Sequence, residues 1–348
     1  MMKVRAFHGV NLAGWLTLES WVTPELFADS GALDEPTLIS SLGQERYQRL
    51  VERHRDSFMS QADFTQIASR GFNAIRLPVP WYAFGKEGPE PGPYVGCITH
   101  VDRAFDWAEE VGMGVLLALA VSPGSVSESK GLVRDQVDFK EYREDLLDVI
   151  AGLSRRYKTR MGFLGMEVAD DPVVQVRHGF TLSEGIPLHA LRNYYRDAYE
   201  VVRDTAGDDP IVVLPDAGLP GSWRSFMASD RYERVWLDCH LYHHTDNVDA
   251  AGPSAVRKLV DRSRAYLAKA RKSGLPTIVG EWSASLPYAD VMMTPEGQIA
   301  LARVYVSEQL SAFSKCPGWF FQTWKTSAKL VGWDARVALA TFERRMID

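Results

Sequence analysis

The sequence predicts an α/β fold, a single (β/α)8 TIM barrel spanning residues 1–348, and three observations carry that expectation. Eight short apolar or β-branched runs alternate with amphipathic stretches from end to end. Gly or Pro repeatedly separates a helix-like stretch from the run after it, as in Arg70-Gly71-Phe72, Val111-Gly112 and Ser273-Gly274-Leu275-Pro276. No long linker, internal repeat or low-complexity segment interrupts the alternation. The 348 residues suit one such barrel with elaborated loops.

The strand candidates, in order, are Phe7–Leu12, Ala74–Pro78, Val115–Ala120, Leu164–Ala169, Ile211–Leu214, Val235–Tyr242, Thr277–Trp282 and Trp319–Trp324. Between them, Gln61–Arg70, Val101–Val111, Tyr142–Tyr157, Leu191–Thr205, Ala255–Ser273 and Glu296–Ser314 place apolar residues at three- and four-residue spacing, the mark of a helix with one buried face. A doubly wound open sheet would carry a Gly-rich phosphate turn after its first strand. Asn11-Leu12-Ala13-Gly14-Trp15 lacks that pattern. The Gly- and Pro-rich segment Gly85–Gly96 reads as a surface excursion.

Composition narrows the function classes. The chain is 46% hydrophobic and 24% charged, enough to build a large core without staples. Its net charge of −6 is spread evenly, so nucleic acid is not an expected partner, which would need a basic stripe. No run approaches the ~18–20 apolar residues of a membrane span. Three scattered cysteines, Cys97, Cys239 and Cys316, fit neither a disulfide framework nor a zinc site and read as small buried residues. The N-terminus MMKVRAFHGVNLAGWL has no apolar run before the first strand, so a cytoplasmic location is expected, or a secreted one if this N-terminus is already processed. Ten Trp and thirteen Tyr are a rich aromatic supply, and aromatic faces pack against the C–H faces of sugars.

In a parallel barrel the reactive groups come from the C-terminal strand ends. Those positions hold Arg76, Asp170, Asp171, Asp216, His240, Tyr242, Glu281 and Trp324, a polar and aromatic set on otherwise apolar strands. Glu281 ends Thr-Ile-Val-Gly-Glu-Trp-Ser, where a partly desolvated carboxylate could attack a sugar carbon, given a second carboxyl to protonate the leaving group. Asp171, fixed before Pro172, is the candidate partner. His240 and Tyr242 are two apart on one strand, so they share a face and could hold Glu281 and contact sugar hydroxyls. Arg76 could hydrogen-bond Glu281 and keep it ionised. Trp324 could offer an indole face as the floor of a sugar subsite.

These residues resemble glycoside hydrolase family 5, in its branch of exo-β-1,3-glucanases and related β-glucosidases. The resemblance runs almost the full chain: Gly9-Val10-Asn11-Leu12-Ala13-Gly14-Trp15-Leu16-Thr17-Leu18-Glu19, Trp21-Val22-Thr23-Pro24, Asp63-Phe64, Gly71-Phe72-Asn73-Ala74-Ile75-Arg76-Leu77-Pro78, Leu237-Asp238-Cys239-His240-Leu241-Tyr242, Val279-Gly280-Glu281-Trp282-Ser283 and Gly318-Trp319-Phe320-Phe321-Gln322-Thr323-Trp324. It implies a retaining β-glycosidase acting on a β-linked glucoside or oligosaccharide, with no metal and no cofactor. It makes Glu281 the nucleophile, Arg76, His240 and Tyr242 its support, Trp324 the sugar platform, and Glu19 a ligand of the non-reducing glucose hydroxyls.

Two departures stand out. Where the family has Asn-Glu-Pro, this chain has Asp170-Asp171-Pro172, and the strand 3 histidine of the family is replaced at Ala120. Asp is one methylene shorter than Glu, so the acid would retreat by about 1–1.5 Å, and a misplacement near 1 Å can cost ~100-fold in rate. Asp170 in place of Asn exchanges an amide donor to the 2-hydroxyl for an acceptor, or for a second acid that raises its neighbour's pKa. The readings this leaves are an active glycosidase of weakened or altered activity, with Asp171 as a shortened acid/base, and a non-catalytic carbohydrate-binding barrel. A lyase or aldolase ranks last, for want of a strand-end Lys or a metal cluster.

Overall fold

The computed structural model describes residues 6–85, 92–123, 136–179, 181–247, 252–287 and 294–340. Eight parallel strands close into a barrel: β1 (Phe7–Asn11), β2 (Ala74–Pro80), β3 (Gly114–Val121), β4 (Phe163–Glu167), β5 (Ile211–Pro215), β6 (Val235–Leu241), β7 (Thr277–Trp282) and β8 (Gly318–Phe321). Each strand pairs with its neighbours in sequence, and β8 returns to β1 through Phe7↔Gly318 and His8↔Trp319, so no edge is left open. All eight fall where the alternation of the sequence puts them, shifted by one or two residues at most ends.

The helices follow the amphipathic stretches. They are α1 (Glu35–Leu42), α2 (Gln44–Phe58), α3 (Gln61–Ser69), α4 (Ile98–Glu110), α5 (Gln136–Tyr157), α6 (Leu188–Ala206), α7 (Pro253–Ala270), α8 (Pro295–Phe313) and α9 (Ala335–Ala338). Ser60 caps α3 by accepting from the Asp63 N–H, and Pro253 and Pro295 open α7 and α8 in the first turn, where the missing N–H costs nothing. Both α1 and α2 go beyond the stretches named from periodicity. The inner face of α2 is Tyr47, Val51, His54 and Arg55, half of it polar, so few apolar residues mark this helix in the sequence. The ring of helices also has a gap: residues 216–234, between β5 and β6, form turns rather than a helix.

Side-chain alternation divides each strand between two cores. Outward residues such as Ile75, Leu77, Val115, Leu117, Leu237 and Cys239 pack under the helices in the larger cluster. Inward residues Ala74, Leu116, Ile211, Val213, Trp236, Ile278 and Phe320 plug the lower barrel. Directly above that plug the inward positions turn polar: Asn11, Arg76, Glu167, Asp238, His240 and Glu281. The apolar plug therefore sets the floor on which the site is built, and it excludes water from below.

Cys97, Cys239 and Cys316 are all free and buried, as their sequence setting predicts. Among the described residues no helix is long and apolar enough to cross a membrane.

Candidate active site

Arg76 organises the site. Its guanidinium is fully buried inside the barrel and spends its donors on three carboxylates and an amide. Nε and Nη2 donate to the two oxygens of Glu167 at 2.6 and 2.9 Å, a bidentate pair. Nη2 also donates to Asp170 Oδ1 at 2.6 Å, and Nη1 to Glu281 Oε1 at 2.8 Å and Asn11 Oδ1 at 2.9 Å. Desolvation opposes its charge, but the surrounding carboxylates outweigh it and hold the guanidinium charged.

Glu281 is then fixed on its other side by Tyr242, whose hydroxyl donates to Oε2 at 2.6 Å, while His240 Nδ1 lies 3.5 Å from the same oxygen. Burial pushes the Glu281 pKa up to about 7. The positive charges of His240 and Arg76 pull against that rise, and the negative charges of Asp170 and Asp171 add to it. Gly280 has to be glycine: Asp238 Oδ1 accepts from its N–H at 2.5 Å, and a Cβ there would overlap the Asp238 carboxylate. The Gly280 carbonyl in turn accepts from Asn11 Nδ2 at 2.8 Å, which locks the end of β7 to β1.

Asp171 reaches the same spot from β4. Its backbone adopts φ 41°, the left-handed region that Asp tolerates better than most residues, and the carboxyl comes to lie 2.9 Å from His240 Nδ1. One oxygen of Asp171, His240 Nδ1 or Nε2, and one oxygen of Glu281 all lie within 4.8 Å of one another. Burial would raise the Asp171 pKa, but the His240 charge prevails and holds it below the ordinary carboxylate value. Glu167, Asp170 and His240 form a second cluster of donor atoms. In both clusters Arg76 or His240 already supplies the countercharge, so the sets read as a salt-bridged floor rather than as a metal cage.

Glu19 stands on the loop after β1, where Gly14, at φ 72°, allows the turn and donates its N–H to Oε1 at 3.1 Å. Trp21 Nε1 donates to Oε2 at 2.8 Å, and burial raises the Glu19 pKa to about 7. The negative charge of Asp170 adds to that rise.

Two strand-end residues are not where the sequence puts them. Trp324 has 0% exposure, its Nε1 donates to Asp63 at 3.0 Å, and Arg70 lies over its ring, so its indole is held in the core and is no open sugar platform. The aromatic surface at the rim is instead Trp333, half-buried, with ring centroids 5.1 Å from Trp21, 5.3 Å from Tyr242 and 5.1 Å from His244. Asp216 turns outward: its Oδ1 accepts from the Gly218 N–H at 2.9 Å, and its carboxyl lies beside Tyr266 and Cys239. Arg76, Asp170, Asp171, His240, Tyr242 and Glu281 do converge. Ser125–Leu132, a candidate rim segment after β3, lies outside the described residues.

Glu167, Asp238, Asn11 and Trp333 are the site residues that strand-end reasoning passed over. A signal existed for two of them, since a carboxylate inside the apolar runs FLGME and VWLDCHL is costly unless paired. Burial raises the Glu167 pKa to about 8 despite Arg76.

His243 looks like a second reactive constellation, with Nδ1 2.8 Å from Asp246 Oδ2 and Nε2 2.7 Å from Ser263 Oγ. Ser263 is fully buried on α7, so no substrate carbonyl can reach it, and the three residues pin the loop after β6 to that helix.

The Cellulase (glycosyl hydrolase family 5) profile matches residues 46–305. The probable glucan 1,3-beta-glucosidase A of Aspergillus fumigatus is 30% identical over 381 residues, covering 96% of this chain and 86% of that protein. The glucan 1,3-beta-glucosidase of Schwanniomyces occidentalis is 28% identical, covering 94% and 84%. Among solved structures, the rutinosidase of Aspergillus niger superposes with a TM-score of 0.77 at 20% identity, covering 97% of each chain. That likeness speaks for the fold.

Proposed function

The chain belongs to glycoside hydrolase family 5, and from that premise we propose that it is a retaining β-glycosidase of β-glucosides or β-1,3-linked glucan oligosaccharides. One observation carries the retaining assignment. One oxygen of Asp171 and one of Glu281 lie within 4.8 Å of each other, closer than the ~6.5–9.5 Å separation that makes room for a water between acid and sugar.

In this reading Glu281, held by Arg76 and Tyr242, attacks the anomeric carbon. Asp171, 42% exposed on the open side of the cleft, serves the leaving group. Glu19 and Asp170 bind sugar hydroxyls, and the Trp333 rim takes the stacking role expected of Trp324. The glucan preference is inferred from the printed names of the relatives.

A second reading, a carbohydrate-binding barrel without turnover, is favoured by the proton distribution of the resting site: Glu281 is raised to about 7 while Asp171 is held low, the reverse of what attack requires. Incubation with aryl β-glucosides and β-1,3-glucan oligosaccharides, beside Glu281→Gln, separates the two. Loss of at least ~10⁴-fold in the variant is expected of a nucleophile. Calorimetric binding of these sugars with no turnover by the wild type would favour the second.

A further inference from the structure

We propose that acid catalysis in this chain is carried by a His240–Asp171 pair, with His240 storing the proton that Asp171 passes to the leaving group. The proposal rests on the glycosidase reading above.

The geometry is that of a cation lodged among anions. Asp238, His240 and Tyr242 follow one another at alternate positions along and just beyond β6. Around the His240 ring stand Asp171 at 2.9 Å and Glu281 at 3.5 Å from Nδ1, and Asp238 at 3.4 Å and Asp170 at 3.9 Å from Nε2. Arg76 supplies positive charge behind Asp170 and Glu281, and the Tyr242 hydroxyl faces Glu281. The His240 side chain is only 8% exposed, yet neither ring nitrogen has an aligned hydrogen-bond partner, and Asp238 Oδ2 beside it also lacks one. Of the four carboxylates Asp171 stands nearest, so the Nδ1 proton faces its Oδ1. Burial alone would neutralise the imidazole, but the neighbouring carboxylates keep it protonated well above its ordinary range. Asp171 is thereby held as an anion and has no proton of its own to give.

The step balances within the pair. The Nδ1 proton shifts to the Asp171 carboxyl, leaving neutral imidazole and a carboxylic acid. Glu281 then attacks the anomeric carbon as the bond to the leaving oxygen breaks, and that oxygen takes the Asp171 proton. In the second half, water attacks the anomeric carbon and breaks its bond to Glu281. The water proton passes to Asp171 and back to His240. His240 touches no substrate atom; it acts through Asp171.

The test is a leaving-group series on the full chain. A 2,4-dinitrophenyl β-glucoside leaves without a proton, whereas a 4-methoxyphenyl or methyl β-glucoside needs one. His240→Asn and Asp171→Asn are each expected to lose ~100-fold or more with the poor leaving groups and under about tenfold with the dinitrophenyl one. Both should also lose the basic limb of the wild-type kcat/KM profile. Equal loss across the series in His240→Asn, or a retained basic limb, overturns the relay and leaves His240 as a support of Glu281. If His240→Asn does not fold, Asp171→Asn decides through the histidine ring resonances. The His240 imidazole should then titrate at lower pH than in wild type, and an unchanged titration overturns the pairing. Wild type that cleaves not even the dinitrophenyl glucoside, and matches Glu281→Gln, removes the glycosidase reading and the relay with it.

Discussion

Replacing Asp170 with asparagine changes one charge and almost nothing else. The amide keeps an oxygen for Arg76 Nη2, which now donates to Asp170 Oδ1 at 2.6 Å, so the guanidinium need not move. Asp170 and Glu281 sit on neighbouring nitrogens of that guanidinium, at 2.6 and 2.8 Å, which places their carboxylates roughly 6 Å apart. At that distance and an effective dielectric of ~20, two unit charges repel by about 3 kcal/mol, or about 2 pKa units. Asp170 is partly open to water, so we expect a fall of ~1–2 units in the Glu281 pKa from its value of about 7. A nucleophile must be ionised, so the acidic limb of kcat/KM should stand near pH 7 in wild type and move to about pH 5–6 in Asp170→Asn. The assay is initial-rate hydrolysis of a dinitrophenyl β-glucoside, for which the leaving group needs no acid. A limb that stays near pH 7, or moves up, refutes the argument that the Asp170 charge holds the proton on Glu281.

Asp171→Glu adds a methylene to a carboxyl already 2.9 Å from His240 and sets a residue less tolerant of φ 41° on that backbone, so its kcat should be no higher than that of wild type; a gain of tenfold or so would show that reach limits the acid. Trp333→Ala should raise KM about tenfold with kcat within about threefold, the size of one lost stacking face, and an unchanged KM would place the sugar elsewhere. Thermal stability should fall between about pH 6.5 and 9, read as Tm by calorimetry. Glu19, Glu167 and Glu281 keep protons in the folded state up to about 7, 8 and 7, above their unfolded values, so the folded chain binds more protons there and loses stability as they leave. Protonated His240, raised above its unfolded value, acts in the same direction. His54, His100, His243 and His244 are shifted down, so unfolded histidines still bind protons at the lower edge of that window and oppose the fall there; above about pH 7.5 they are neutral in both states, and a Tm that rises beyond that pH would contradict the assignment.

Much of the fold was legible because it is written locally. Strand positions follow from short apolar runs, and a period of two puts His240 and Tyr242 on one face whatever the rest of the chain does. The longer helical stretches with an apolar buried face were legible, and α1, only eight residues long, and α2, with His54 and Arg55 on its buried face, were not. The gap in the helix ring at 216–234 is marked locally by Gly218, Pro220 and Gly221, which break a helical period. Arg76, Glu281, His240 and Tyr242 could be picked out because a strand end in a parallel barrel is where a polar residue meets the cleft.

What only the tertiary structure decided are the relations between strands. Barrel closure brings Arg76 of β2 against Glu167 of β4 and Glu281 of β7, residues 91 and 205 positions away in sequence, and no local period encodes which of three carboxylates one guanidinium will hold. It also buries Trp324 against Asp63 and leaves Trp333 at the rim, although both are Trp in similar loops near the C-terminal end. Reading along the chain, Asp171 is an acid made too short. In the folded barrel a left-handed backbone and the neighbouring His240, 2.9 Å away, fix where that carboxyl stands, and no local pattern of the chain encodes a contact between strands.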